Sequence, residues 1–354
     1  MWQRTRQAPP AQQEAPPPPR SVRRRLGTAV ARVSWTYLLV LFAFWAAMRW
    51  AGDRWWLGTL ILFGPVWVTA LPLAVLVPAA LVLRRRMVGV LAIAACVAFF
   101  LVMDLCVPWR VLIHGGGGAS PRLRLLTCNV HGHAVRDDAL LGMISDAAPD
   151  IVVLQEWWWN REPPPLQGGK WYVRRDGELL IASRYPIILA HNYAGLDEGG
   201  TGGSAVRYAI AAPGGALNLF NLHLASPHNP FDKIIQGKPT AEEELGQHIA
   251  VRAWQSQLLS DAAANTGGAV LLAGDFNTPA EGTIYHGYWS QFTDAFSTAG
   301  SGFGHTYFGQ GAAVRIDHIL MNNAWRCTSS RVLDGIGSPH HPLVADLERV
   351  GAGQ

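Results

Sequence analysis

Polar side chains suited to acid–base or cation chemistry stand where the apolar runs of this chain stop. Asn129 ends RLRLLTCN, Glu156 follows IVVLQ, His223 lies in NLHL, Asp275 and Asn277 sit in GDFNTP, Asp317 in RIDH and His340 in SPHHP. The stretch AVLLAGDFNTP, residues 269–279, is the most informative, because small and aliphatic residues run straight into Gly274 and then a carboxylate and an amide. Such a run reads as a buried strand ending in a turn that presents short polar side chains at a sheet edge. Taken singly, each residue has a plain structural explanation. Asp, Asn and Pro are ordinary turn formers, His223 could be a satisfied core histidine, Glu156 a loop acid, and His340 with His341 a surface pair. Together, six strand-associated sites drawn from across the domain could converge on one pocket.

The elements that would position them are legible as strands. Residues 122–130, 151–155, 178–183, 216–224, 269–274, 315–321 and 342–347 are rich in Leu, Val and Ile at strand length. Apolar residues at three-and-four spacing predict helices over 137–147 and 241–264, and Glu242, Glu243 and Glu244 suit an N-terminal helical turn. No repeat of solenoid period is visible. The pattern predicts a mixed α/β or α+β domain with at least seven strands.

The first third is a different kind of sequence. Residues 1–33 hold two proline runs and seven arginines (Arg4, Arg6, Arg20, Arg23, Arg24, Arg25, Arg32) against the single acid Glu14, which predicts a disordered basic tail. Residues 34–110 form a membrane region with about three spans. Its apolar segments are 35–48, 55–83 with Pro65, Pro72 and Pro78 inside it, and 87–107 with only Asp104 near its far end. A transmembrane helix needs ~20 apolar residues, so the first segment is short, the second long enough to tilt or kink, and the third close to ideal. A cleaved signal peptide is disfavoured, since the apolar core starts beyond residue 30 and two more hydrophobic segments follow. Arginines in the tail and at Arg84, Arg85 and Arg86 should stay in the cytoplasm, which places everything after Val107 outside it. Trp35, Tyr37, Trp50, Trp55, Trp56 and Trp109 fall at the expected borders, where amphipathic rings suit the headgroup level.

A Gly-rich linker, 111–120, leads into a globular part, 121–350, large enough for its own core. From residue 111 onward there are 16 Lys plus Arg and 22 Asp plus Glu, a net of 16 − 22 = −6, although the whole chain is formally +4. The basic balance therefore belongs to the tail and membrane loops and is not the footprint of a nucleic-acid-binding domain. Cys128 and Cys327 lie in strand-like runs, where free cysteine behaves as a small apolar residue; a bridge between them is the lesser reading.

In the order CNVHG, LQEW, NLHL, GDFNTP, RIDHIL and SPHHP, residues 122–348 resemble the endonuclease/exonuclease/phosphatase family of divalent-metal phosphohydrolases, which includes DNase I-like nucleases, sphingomyelinases and inositol phosphatases. The resemblance implies an α+β fold of two packed mixed β-sheets flanked by helices, a four-layer α/β/β/α sandwich, here preceded by transmembrane helices. Phosphoester hydrolysis needs a cation for the phosphate oxygens, a base for water and donors for growing charge. Glu156, a hard oxygen ligand, suits Mg²⁺, with Mn²⁺ as an alternative, and Asn129 would supply a neutral oxygen or orient a water held by the ion. By the resemblance, His340 would be the general base and Asp317 the carboxylate that orients it; Asp275 and Asn277 would position the water and a phosphate oxygen, and His223 would hydrogen-bond the phosphate. Two departures stand out: Pro339 replaces the aspartate the family usually has before its last histidine, and His131 stands where some nucleases carry an acid.

These expectations amount to a membrane-anchored phosphoesterase acting outside the cytoplasm on a phosphodiester or phosphomonoester. Membrane tethering favours a lipid-borne substrate, and the acidic domain makes nucleic acid the less favoured partner. The Trp157, Trp158, Trp159 run could dip into headgroups, although packing beneath a loop is the stronger reading. A tethered nuclease and an inactive membrane scaffold or receptor are the alternatives. The sequence carries no signal of oligomeric state.

Overall fold

The computed structural model describes residues 22–109, 122–167, 169–197, 200–309 and 312–350. The first 21 residues of the expected tail and the Gly-rich linker lie outside the described residues.

Among the described residues, two six-stranded sheets form the globular part. The first contains β1 (Arg122–Asn129), β2 (Ile151–Gln155), β3 (Tyr172–Asp176), β4 (Leu179–Ser183), β13 (Trp325–Val332) and β14 (Leu343–Arg349), in the order β13-β14-β1-β2-β4-β3. The second contains β5 (Ile187–Asn192), β6 (Ser204–Ala212), β7 (Gly215–His223), β8 (Ala269–Asp275), β9 (Thr293–Asp294) and β12 (Asp317–Met321), in the order β5-β6-β7-β8-β12-β9. Each sheet is mixed, with one parallel pair at its centre: β1 with β2, and β7 with β8. A parallel pair requires a crossover. Helix α5 (Asp137–Ala147) supplies the first, and α6 (His228–Ile235) with α7 (Ala241–Ala264) the second. A short hairpin, β10 (Tyr307–Gly309) with β11 (Ala312–Val314), stands apart from both sheets.

Two-residue periodicity divides the buried side chains into layers. Leu125, Val153, Leu219 and Leu271 share the core between the sheets. Their neighbours turn outward, Leu126 and Leu154 onto Leu140 and Ile144 of α5, and Phe220 and Leu272 onto Leu259 and Ala263 of α7. The result is the four-layer α/β/β/α sandwich. All seven expected strands are present, together with strands that apolar content did not mark. β3 (YVRRD) and β5 (IILAHN) are largely exposed strands, and β13 (WRCTSSRV) is largely polar; sheet pairing rather than burial holds such segments.

Helix α1 (Val22–Ala51) begins inside the expected 1–33 tail. Arginine is a good helix former, and Val30 already packs against the cluster of Leu76, Ala80 and Leu91, so helix formation reaches back through Arg23–Arg25. Helices α2 (Trp56–Leu62), α3 (Leu71–Leu83) and α4 (Met87–Cys96) follow, α4 continuing as a π-turn over Val97–Val102. Two helical stretches are long and apolar enough to cross a membrane, Val22–Arg54 and Val66–Leu83; the third apolar stretch, Met87–Val102, is shorter. Only 17% and 11% of the two apolar windows are buried, so neither is covered as a core helix of a soluble domain would be.

This helical region is docked on the sandwich. Leu41, Met48, Leu62 and Phe63 share an apolar cluster with Phe231, Leu245, Ile284 and Ile316. Asp53 accepts the Ile284 N–H at 2.9 Å, and Cys106 and Gly302 exchange backbone hydrogen bonds at 2.9 and 3.0 Å. All four cysteines are free, so Cys128 and Cys327 form no bridge; they face opposite sides of the first sheet, Cys327 in the inter-sheet core and Cys128 under α5. Trp157 is buried with its indole N–H on the Arg161 carbonyl at 2.8 Å, and Trp159 packs on His133, while Trp158 is exposed. Two of the three tryptophans are therefore packing residues.

Candidate active site

Strand direction brings the polar ends together. Asn129 lies opposite Gln155 in the β1–β2 pair, so Asn129 and Glu156 leave the first sheet at one edge. His223 lies opposite Asp275 in the parallel β7–β8 pair, and Asp317, the first residue of antiparallel β12, lies opposite Asp275 as well. Strand β14 runs antiparallel to β1 with Leu343 opposite Thr127, which returns the preceding His340 over the same edge. Gly274 is what permits this approach. Its φ is 144°, and a Cβ there would sit 1.9 Å from the Leu222 carbonyl oxygen of β7. Three non-glycine residues at the edge take left-handed backbone, His131 (φ 49°), Glu156 (φ 55°) and Asn277 (φ 48°), a concentration of strain typical of functional sites. Asp275 Oδ1 steadies the last of these turns by accepting the Asn277 N–H at 2.8 Å.

His340 is buried, with Nδ1 2.9 Å from Asp317 Oδ2 and Nε2 3.7 Å from Asp275 Oδ2. The Ser338 hydroxyl donates to the Asn129 carbonyl at 2.7 Å and accepts the His340 N–H at 3.1 Å, fixing the approach of the loop. His341 points elsewhere, its ring 4.4 Å from that of Phe308. The carbonyl of Pro339 accepts the Phe308 N–H at 3.0 Å, so the position that departs from the family pattern is used for backbone pairing with β10. His223 places Nδ1 2.9 Å from Glu178 Oε1, and its Nε2 lies 3.7 Å from Glu156 Oε1 and 3.8 Å from Asp275 Oδ2. Asn129 Nδ2 donates to Glu156 Oε1 and to Asp275 Oδ2, each at 2.9 Å, while its Oδ1 accepts the His131 N–H at 2.9 Å. Asn129 thus turns its nitrogen toward two carboxylates of the site and its oxygen toward the His131 N–H. Asn277 Nδ2 donates to the Leu224 carbonyl at 2.8 Å, leaving its Oδ1 without a partner among the described residues.

The electrostatics are those of surplus negative charge. Burial would lower His340, but the charges of Asp317 and Asp275 outweigh it and push the imidazole up to about 9. Burial likewise opposes the charge on His223, which Glu178 carries up to about 10; Glu178 is brought down to about 2 by the same contact against its own burial. Asp275 is raised by burial and by the charge of Asp317. Asp275, Asp317 and His340 each offer a ligand atom within 4.8 Å of the others, and Asp317 Oδ1 is buried without a partner among the described residues. Among those residues no Lys or Arg forms a salt bridge with Glu156, Asp275 or Asp317. Hard oxygen donors, an orphaned carboxylate oxygen and uncompensated charge fit a divalent cation of the Mg²⁺ kind.

Three residues at the site escaped sequence reasoning. Glu178 stood at the head of an expected strand, unmarked by any motif, and reaches His223 from the other sheet. His228 and Tyr307 lie in SPHNP and HTYFG, where nothing local signals their position; the His228 ring sits 4.5 Å from Tyr307, and Tyr307 4.9 Å from His340. Burial, together with the charge of His340, lowers His228 to about 4, so it is neutral at physiological pH.

An imidazole–carboxylate pair stands beside clustered acids that could hold a hard cation, at the joint edge of two packed mixed sheets. The chain matches the model of the Endonuclease/Exonuclease/phosphatase family over residues 126–340, well over half its length, and belongs to that family. Similar solved structures include the humanised Danio rerio TDP2 with 14 mutations (17% identity, covering 64% of this chain and 99% of that one, TM-score 0.49). An endonuclease/exonuclease/phosphatase from Beutenbergia cavernae (17%, 66% and 72%, 0.49) and the 3'-5' exonuclease NExo from Neisseria meningitidis (20%, 63% and 98%, 0.48) are also similar. No curated protein matches the chain.

Proposed function

We propose that the protein is a membrane-anchored, divalent-metal-dependent phosphoesterase that hydrolyses a phosphodiester or phosphomonoester outside the cytoplasm. The observation that carries this reading is the His340–Asp317 pair at 2.9 Å, set against Asp275 in a buried acidic cluster. A divalent cation held by Glu156 and Asp275 would supply the positive charge that this cluster and a phosphate both lack. His340, relieved of the excess negative field, takes a proton from water at Nε2, while Asp317 holds Nδ1–H and stabilises the imidazolium. Asp275 and the free Oδ1 of Asn277 orient that water. His223, kept protonated by Glu178, donates from Nε2 to a phosphate oxygen as charge grows there.

Membrane anchoring is supported by the exposed apolar surface of Val22–Arg54 and Val66–Leu83. A third span through Met87–Val102 and a cytoplasmic location for Arg84–Arg86 complete the proposed topology. A reporter active only outside the cytoplasm, fused after Gln354, should give signal; a signal solely from a cytoplasmic reporter would reverse the orientation. The activity is tested on full-length protein in lipid nanodiscs against a phosphodiester, a phosphomonoester, phospholipid and DNA. Turnover should vanish on chelation and return with Mg²⁺ or Mn²⁺, and Glu156→Gln should raise the metal concentration required. Full Glu156→Gln activity at limiting metal would remove Glu156 from the cation site. DNA cleavage faster than any other substrate would favour the tethered nuclease.

A further inference from the structure

A cavity of about 170 Å³ opens between the helical region and the sandwich, lined chiefly by Leu60, Phe63, Pro65, Phe231, Ile235 and Val314. Its two ends differ. One is the turn joining α2 to the Val66–Leu83 stretch, with Trp67 and Ile235 exposed at 50% and 70%. The other is His228 and Tyr307, and the Tyr307 ring stands edge-on 4.9 Å from His340. Aromatic contacts run without a break between the ends: Phe63 to Phe231 at 5.2 Å, Phe63 to His228 at 6.1 Å, and His228 to Tyr307 at 4.5 Å. No Asp, Glu, Lys or Arg lines the cavity among the described residues. His228 Nε2 is buried there without a hydrogen-bond partner among the described residues.

We infer that this cavity holds one hydrocarbon chain of a membrane lipid phosphoester whose phosphate lies at His340, an inference that rests on the phosphoesterase reading above. An uncharged channel that begins beside an exposed apolar helix and ends at Tyr307, one ring short of the proton-accepting imidazole, suits a molecule that is apolar along its length and anionic at its end. A nucleic-acid strand has the opposite distribution, with charge at every residue and polar base edges, and would leave the channel unused. A peptide would bring backbone N–H and C=O groups into a lining with too few partners for them.

The test uses full-length protein in nanodiscs with Mg²⁺ and a series of p-nitrophenyl phosphodiesters whose second ester carries an alkyl chain of increasing length. Burial of a methylene is worth ~0.8 kcal/mol, so kcat/KM should rise up to about four-fold per carbon until the cavity is filled, and then level off. Leu60→Trp, which fills the cavity, and Ile235→Asp, at its exposed mouth, should flatten that rise and leave turnover of the methyl ester unchanged; Leu60→Met should restore the rise. A photoreactive alkylphosphonate should label Phe63 or Phe231 and be displaced by the long-chain esters. A flat series in the unmodified protein, a rise unaltered in both variants, or labelling outside the cavity would overturn the inference while methyl-ester turnover still upholds the phosphoesterase. Absence of turnover with every ester, the monoester p-nitrophenyl phosphate included, would instead overturn the phosphoesterase itself.

Discussion

Two buried charged clusters lie on the two flanks of β12, and they are built on opposite terms. At the seam with the helical region, Arg315 pairs with Asp104 and donates to Ser297 at 3.1 Å. Nearby Asp294 receives the Tyr285 hydroxyl at 2.9 Å, the Ser297 N–H at 2.9 Å and His318 Nδ1 at 3.0 Å, while His318 Nε2 meets the Thr278 carbonyl at 3.0 Å. Cation faces anion here, and the opposite charges make burial tolerable although Arg315 Nε has no partner among the described residues. At the sheet edge, Glu156, Asp275 and Asp317 have only histidines as ion-pair partners among the described residues, and buried oxygens on Asp317 and Asn277 have no partner among those residues. The first cluster carries its own cation; the second is complete only with something positive added. Acidic content and depth do not separate a structural cluster from a functional one here. Charge balance does.

The sharpest way to break that comparison is to cut each cluster once. General-base catalysis is worth typically ~10²–10⁴-fold, so His340→Ala should lower kcat by a factor in that range with a modest change in KM. Asp317→Asn should reproduce much of the loss, and the double variant should fall little below His340→Ala, since residues acting as a unit are not additive. His341→Ala should do little; a collapse confined to it would move the base one residue along. At the seam the readout changes from rate to stability. Arg315→Met leaves Asp294 and Asp104 without their cation and should cost about 3–5 kcal/mol, with kcat per folded molecule retained. Multiplicative kinetic losses at His340 and Asp317, or a stable Arg315→Met, would erase the distinction.

How much of this was legible beforehand follows the same line. The strands that deliver the site are apolar runs ended by one polar residue, and period-two burial makes such runs readable; hence Asn129, Glu156, His223, Asp275, Asn277, Asp317 and His340 all fall at the sheet edge. Glu178 and Tyr307 were not readable, because each is a partner chosen by the packing of one sheet or hairpin on another. The amide orientation of Asn129 was hidden for the same reason, being dictated by two carboxylates 27 and 146 residues away in sequence. Exposed strands such as β3 carry no apolar signature at all. The helical start at Val22 was masked by charge, which marks solvation without forbidding a helix.

Adding a cation gives a third, smaller contrast. A ligand that binds only the folded state stabilises it by ~2.7 kcal/mol at a hundred times its dissociation constant. Mg²⁺ should therefore raise the melting temperature of the native chain and of Arg315→Met alike, and should do so much less for Asp275→Asn. Equal stabilisation of all three would place the cation outside the acidic site.

The smallest effect expected is in the acid limb of stability, and there Asp294 and Asp275 should pull in opposite directions. Burial alone would raise Asp294, but Arg315, His318 and the Ser297 N–H hold it below the usual carboxylate range. A carboxyl with a depressed folded value contributes stability that is present above its unfolded value of ~3.9 and is lost as pH falls toward the folded one. Asp275 is raised by burial and by Asp317, so its ionisation above ~3.9 opposes folding and that penalty is relieved as pH falls through its folded value. Each unit of displacement is worth about 1.4 kcal/mol. Measured in chelator, so that no cation masks Asp275, unfolding free energy from pH 6 to pH 3 should fall less steeply in Asp294→Asn than in the native chain. In Asp275→Asn it should fall more steeply, because the relief is gone and the loss at Asp294 remains. Parallel curves for both variants would mean that neither carboxyl feels the charge balance that distinguishes the seam from the site.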